Sequence, residues 1–563
     1  MLSPLLSWLD KLPLKLKRRS KRSIPCRRAD RTPAQLAMVE SLESRTLLSA
    51  IFWDGGAGTQ NWNDASNWSG DSTPGAGDDV TINAPGDLTI VHSSGATALH
   101  SLVSHESIDW AGGSLSVAAD SVVYGEFNNS GTVEVQSDTF TIITGTHTGD
   151  FLVGSGATLT TGGFFDTSSD ITGPGNLNLY NAGQFGVVNI GGNVALDGAT
   201  IGGDFAVAGD MTLTNYGATF NGTPAIVGGA ATANGHMAGT GDVTIGGLFT
   251  WVTGYSMQGT GMTTANGGMH ITGSGTSYLE RTIENAGVAL FDGGTIKTTG
   301  GAVLRNLPGA SFEIRNDADI EWGGGLPLFD NQGAFLKTTG ADVTSVGIDF
   351  NNSGTVEVQS GTLALGATYT APLYSSHTGD FLIRSGAALS ITYALFEASS
   401  KITGPGNLTI FYATHRGIVD IGGNVSMDGV TIEGDFAVAG DMTLTNYGAT
   451  FNGTPATVGG TATINGHMSG TGLVTINGLL TWNLNQYQMA GTGTTLANGG
   501  MHITGSGTAY LLQRTIENAG VAVFDGGAIF ASNGAVIRNR PGASFEIRND
   551  ADINNAFSGP FPT

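Results

Sequence analysis

The residues best placed to do chemistry are two carboxylates separated by a single alanine, next to an arginine. Arg315-Asn316-Asp317-Ala318-Asp319 recurs far along the chain as Arg548-Asn549-Asp550-Ala551-Asp552. Asp317 with Asp319, and Asp550 with Asp552, can share a divalent cation such as Ca2+, or divide acid and base work between them. The same residues also suit a solvated turn after a strand, each Asp bonding its own backbone; that reading is preferred. Asp78-Asp79 offers the same choice between a calcium pair and a strand-entry turn. A second group is aromatic. Trp53, Trp62 and Trp68 punctuate the polar stretch WDGGAGTQNWNDASNW. Three large rings can close the open end of a stacked-sheet core, or stack on the face of a sugar. Closure is the preferred role.

Other chemistries lack their signatures. The ten histidines show no HExxH or HxH spacing. His236 and His270 recur as His467 and His502, which marks them as surface positions of a repeat. Gly-x-Gly triplets such as Gly173/Gly175 open no helical pattern, and no G-x-S-x-G nucleophile motif is present. The calcium-binding nonapeptide pattern is not repeated. No cofactor is expected; Ca2+ at the acid pairs is the one exception considered.

The elements that must position these residues follow from internal repetition. GDFAVAGDMTLTNYGATFNGTPA at 203–225 returns unchanged at 434–456. FNNSGTVEV at 127–135 returns at 350–358, and PGASFEIRNDADI at 308–320 returns at 541–553. Order is kept while the offset drifts slightly, so the chain is a tandem duplication. Its expected organisation is a leader at 1–50, a Trp-rich cap with first coils at 51–123, one unit at 124–346 and a second at 347–563, the last expected to be cut short. A finer period lies within. Asn285, Asn306, Asn331 and Asn352 recur at nearly equal steps, each with a glycine shortly after it, and Asn518 and Asn539 repeat the step in the second unit. They read as corner residues, because Asn and Gly tolerate left-handed backbone. Short alternating runs such as Thr132-Val133-Glu134-Val135 read as half-buried strands.

Short strands at a period of about 21 residues predict an all-β fold, a right-handed parallel β-helix or β-solenoid. Each coil buries its apolar face only by stacking on its neighbours. About 24 coils at about 4.8 Å each would span about 110 Å. Composition agrees: glycine supplies 89 of 563 residues, about twice its usual share, while only 12% of residues are charged.

Charge is segregated. Residues 1–45 hold 11 of the 23 Lys/Arg, and the rest of the chain holds 12 basic against 42 acidic residues. The acidic body excludes a nucleic-acid partner. No stretch approaches the length of a membrane span, and Cys26 is the sole cysteine, so no internal disulfide forms. After the basic segment, Ala34–Leu48 has helix-forming composition, with Thr32-Pro33 as its start signal. Within it, Leu42-Glu43-Ser44-Arg45-Thr46-Leu47-Leu48 resembles the LEPR-XLL leader motif of large exported bacterial proteins, with Ser44 where that family has Pro. Leu42, Glu43, Arg45, Leu47 and Leu48 carry the match. The resemblance implies sorting through an export machinery to the cell surface or exterior, not chemistry. The Trp-rich opening is similar to that of exported, autotransporter-like β-helix proteins.

Three functions stay open on the sequence. The preferred one is an exported, non-catalytic structural or adhesin-like rod, contacting cell-surface components or polysaccharide. The second is a polysaccharide lyase or hydrolase, drawing its cation from Arg281, Lys297, Arg305, Arg315, Lys337 or their second-unit counterparts. The third is an inert stalk carrying a sugar-binding Trp cap.

Overall fold

The computed structural model describes residues 48–366 and 375–555. The proposed helix and most of the sorting motif (Leu42, Glu43, Arg45 and Leu47) lie outside the described residues, and Leu48 is exposed. Ser49 and Ala50 belong to the body. They open the first strand, Ser49–Phe52, and pair in parallel with Asp78 and Asp79.

Alternation sets the local structure. In Thr132–Val135 the side chains of Val133 and Val135 are fully buried, while Thr132 and Glu134 face outward. The strand then pairs in parallel with Asp150–Val153, one turn later. Repeating this step gives a parallel β-solenoid of about 23 turns, as the repeats predict. Turn length varies widely around the expected period. The step from Leu177 to its partner Val194 is short, and the step from Thr355 to its partner Asp380 is long. One hydrophobic core runs unbroken from Trp53 to Ala551. No described helix is long and apolar enough to cross a membrane.

The strands form three ladders, and the longest strands bend to serve two. Met211–Phe220 pairs through its first half with Ala231–Gly235 and through its second with Met237–Ala238. The bend is made by Asn215 (φ 44°) and Gly217 (φ 68°). A Cβ on Gly217 would lie 1.7 Å from the carbonyl oxygen of His236 in the next turn, so only glycine fits.

The periodic asparagines do something other than turn corners. None of Asn285, Asn306, Asn331 and Asn352 has a positive φ, and all are buried at strand ends. The Nδ2 of Asn285, Asn306 and Asn331 each donates to the Oδ1 of the next asparagine, at 2.9, 2.9 and 2.8 Å. Nδ2 also donates to nearby backbone carbonyls, such as Ser311 O from Asn285 at 2.9 Å. Asn518 and Asn539 repeat the contact at 2.7 Å. The ladder satisfies polar groups that stacking would otherwise strand inside. Other corners are held by backbone donors. Asn176 Oδ1 accepts from Asn193 N and Asn193 Oδ1 from Asp210 N; Asn407, Asn424 and Asp441 repeat both bonds.

The duplication is not a whole number of turns. Thr132–Val135 and Thr355–Val358 have the same sequence, TVEV. Following the ladder of the first strand, eleven successive pairings lead to Asp349–Asn352. Thr355–Val358 comes one strand later and joins a different ladder, stacking on Ala334–Lys337 and Ser311–Ile314. The second unit is therefore turned by one face of the solenoid relative to the first.

Candidate functional site

The tryptophan segment folds over the first turns. Trp53, Trp62 and Trp68 are 6%, 1% and 0% exposed. Trp68 packs edge-on against Trp53 and Trp62 at 4.9 and 4.7 Å, and Trp62 packs on Trp110 at 5.5 Å. Trp68 Nε1 donates to the Trp62 carbonyl at 2.7 Å. His92 stacks on Trp110 at 3.7 Å, its Nδ1 2.9 Å from Gly112 O. Asn67, fully buried, ties the loop through Ala57 N, Thr59 Oγ1 and Asn61 O. The three rings thus close the core, and no ring face is open to stack on a sugar.

Asp317, Asp319 and the Asp78-Asp79 pair accept from the protein's own donors. Asp317 Oδ1 accepts from Lys337 Nζ at 2.8 Å, which holds its carboxyl below the usual carboxylate range. That ammonium is wholly buried and also donates to Thr344 Oγ1, Asn316 O and Thr339 O, at 3.0, 3.1 and 3.2 Å. A lysine nitrogen therefore stands among the oxygens a cation would need. Asp319 Oδ1 accepts from Ser345 N at 2.7 Å. Asp550 sits in the left-handed region (φ 50°), and Asp552 opens the final strand beside Ala528. Asp78 accepts from Gly75 N and Ser49 Oγ. Asp79 accepts from Ser101 Oγ and the His100 ring, which lower its pKa. Among the described residues, no group of three or more His, Cys, Asp or Glu is arranged to hold a metal ion.

Four of the five cations proposed for a cleavage site are held in structural roles. Arg281 is 1% exposed and donates to the carbonyls of Gly241 and Met262, both at 3.1 Å. Burial pushes its pKa down to about 10. Its counterpart Arg514 is buried in the same way, bonded to Thr495 Oγ1 at 2.8 Å and to the carbonyls of Gly470, Ala490 and Gly472. Arg305 bridges Glu284 and Asp330 at 2.6 and 3.0 Å. Arg538 meets Glu517 at 2.6 Å in the second unit. Arg315 folds back on Glu313 at 3.1 Å, and Arg548 on Glu546 at 2.7 Å. Lys297 faces outward between Tyr278 and Glu321.

Histidine placement divides in two. His236 and His467 face outward, each Nδ1 accepting a backbone N–H, from Ser256 and Gln488. His270 meets Asp292 at 2.7 Å, and His502 lies 4.0 Å from Asp525. His147, His377 and His415 are instead fully buried, a feature not read from the sequence. The shared string HTGDF at 147–151 and 377–381 was the available signal. Also unread was a group of surface tyrosines, Tyr393, Tyr412 and Tyr447. Its signal was the replacement of Asn181 by Tyr412 between the shared strings ITGPGNL and IGGNV.

No protein-family model, curated protein or solved structure matches the chain.

Proposed function

We propose that the protein is an exported, non-catalytic solenoid acting as a structural or adhesin-like element at the cell surface or outside it. The observation that carries this reading is the fate of the rare cations. Arg281 and Lys337 are sealed in the interior, and Arg305 and Arg315 are tied to carboxylates on their own or adjoining strands; of the five candidates Lys297 alone faces outward, between Tyr278 and Glu321. A lyase or hydrolase needs such a group free beside its acid pair. Duplication also fits: it lengthens a stacked array at little cost in folding, whereas a single catalytic cleft gains nothing from it. The leader's resemblance to LEPR-XLL proteins supplies the export part of the reading.

Two measurements test it. Fractionation of producing cells should place the protein outside the cytoplasm; full retention inside overturns the export part. Incubation with a polysaccharide panel should release no reducing or unsaturated sugar. Release that is abolished by Arg315→Ala or Asp317→Ala would establish catalysis and overturn the structural part.

A further inference from the structure

The two units are internal references for each other, and one corner differs between them. Both share a frame in which an aspartate, half-buried in the first unit and buried in the second, fixes the chain. In the first unit Asp197 accepts from Asn215 Nδ2 at 2.7 Å and from Tyr216 N at 3.1 Å. In the second, Asp428 accepts from Asn446 Nδ2 at 2.7 Å and Tyr447 N at 2.9 Å. In the preceding turns the first unit has Asn181 in the left-handed region (φ 46°) and, in a corner one residue shorter, Gly163 (φ 106°). These are residues that adopt that conformation at low cost. The second unit puts Tyr412 (φ 49°) in place of Asn181, and its preceding corner carries Tyr393 (φ 55°) as an additional residue, Gly163 matching Ala394 in register. Bulky side chains are strained in this region. The frame does not require a tyrosine at position 412, since the first unit makes that corner with Asn181.

The strained tyrosines form a row with Tyr447. Tyr393 and Tyr412 lie nearly parallel, with ring centroids 5.3 Å apart, and Tyr412 meets Tyr447 at 5.9 Å and 55°. The intervening turn contributes Gly429 (φ 70°), where a Cβ would lie 2.8 Å from Tyr412 Cδ1. The missing side chain lets the two rings meet across it. All three remain open to solvent, at 39%, 37% and 66% exposed. In the first unit the same corner offers only Tyr216, alone and 77% exposed.

We propose that this tyrosine row is a binding site for a neutral polysaccharide. The row runs along the solenoid axis as three rings over four turns, with centroid steps of 5.3 and 5.9 Å, near the ring-to-ring step of an extended β-linked glycan. Aromatic surfaces and phenol hydroxyls together match the apolar faces and hydroxyl edges of sugar rings. The body's 42 acidic against 12 basic residues disfavour an acidic polymer. A row one side chain wide is far short of the roughly 800 Å² per partner that a stable protein interface covers. The proposal deepens the adhesin-like reading and rests on it for the ligand's location.

The test is calorimetric titration of the full-length chain with cellohexaose and xylohexaose, with polygalacturonate as the acidic comparison. At least one neutral hexasaccharide should bind, and Tyr393→Asn/Tyr412→Asn together, or Tyr447→Ser, should weaken it at least tenfold. Asparagine already serves at the equivalent corner as Asn181, so circular dichroism should be unchanged. Tyr216→Ser should leave binding unaltered. Four outcomes overturn the site: no binding of either hexasaccharide, equal binding by the variants, preference for polygalacturonate, or a change only in self-association. None of these touches the adhesin-like reading, which stands or falls on fractionation and turnover.

Discussion

His147, His377 and His415 sit among aromatic rings with no hydrogen-bond partner for either ring nitrogen. His147 lies 4.3 Å from Phe165 and 5.0 Å from Phe151. Phe396 separates His377 from His415, at 4.7 and 4.8 Å. Burial pushes the three pKa values down, to about 3, about 3 and about 4. The native state thus keeps these rings neutral while the unfolded chain takes up protons below its ordinary value of about 6.5. Their effect is absent above that pH and grows as pH falls toward 4, so acid destabilises the fold. At pH 5 the loss is about 2 kcal/mol per histidine. Asp79 and Asp317 have lowered pKa values too, and also lose stability in acid, but their window begins below the ordinary carboxylate value. The interval from pH 6.5 to 5 belongs to the histidines. The variant His147→Leu/His377→Leu/His415→Leu should flatten the fall of the thermal midpoint across it; an unchanged slope would refute the assignment. A polar residue just before Thr-Gly reads as a loop surface in sequence. Only the register, which places His147 opposite Phe165 and Asn129, turns it inward.

At the scale of strands, the alternating runs and the asparagine spacing were legible because both follow from the turn length. The role of the asparagines was not, because a period reports where a residue recurs and not its φ. Asn331 accepts from Asn306 and donates to Asn352, Thr355 O and Gly333 O. Asn331→Ala breaks the row in its middle and leaves buried groups without partners, a cost of about 1–3 kcal/mol. Asn331→Asp should cost more, since a carboxylate cannot donate to Asn352 Oδ1. Asn539→Ala, at the exposed end of the second row, should cost less than either. Urea midpoints for the three variants check the order; a larger loss at Asn539 would show that the ladder does not carry the effect. The acid pair is legible in the same partial way. Asp317 and Asp319 were found by spacing, but the partner that fills the place of a cation, Lys337, lies a full turn further along the chain. Only stacking brings it there.

For the molecule as a whole, the offset between repeated strings revealed duplication but not its geometry. Turn length changes from coil to coil, which makes the number of turns per unit unreadable without the register. Eleven turns and one side separate TVEV from its copy, so matching features of the two units point in different directions. The tyrosine row therefore does not continue the line of Tyr216. The same arithmetic yields a test of the architecture. Deleting residues 132–354 joins Gly131 to Thr355 and restores the native string FNNSGTVEV at the junction. Thr355–Val358 would then stack on Ser114–Val117, as Thr132–Val135 does in the intact chain. Each later strand would rest on the neighbour its first-unit copy already uses. The shortened chain should keep its β-sheet circular dichroism and its cooperative melt. Its solenoid, about 110 Å long before deletion, should shorten by about 55 Å at about 4.8 Å per turn, measured by small-angle scattering. Deleting residues 132–348 instead removes nearly the same mass but places Asp349–Asn352 where Thr132–Val135 belongs. That puts Phe350 and Asn352 over the apolar positions Leu115 and Val117, with an unmatched asparagine in the core. This second chain should be the less stable of the two. Equal stability would mean that the turns stack without regard to which residues meet, and the one-face rotation would lose its significance.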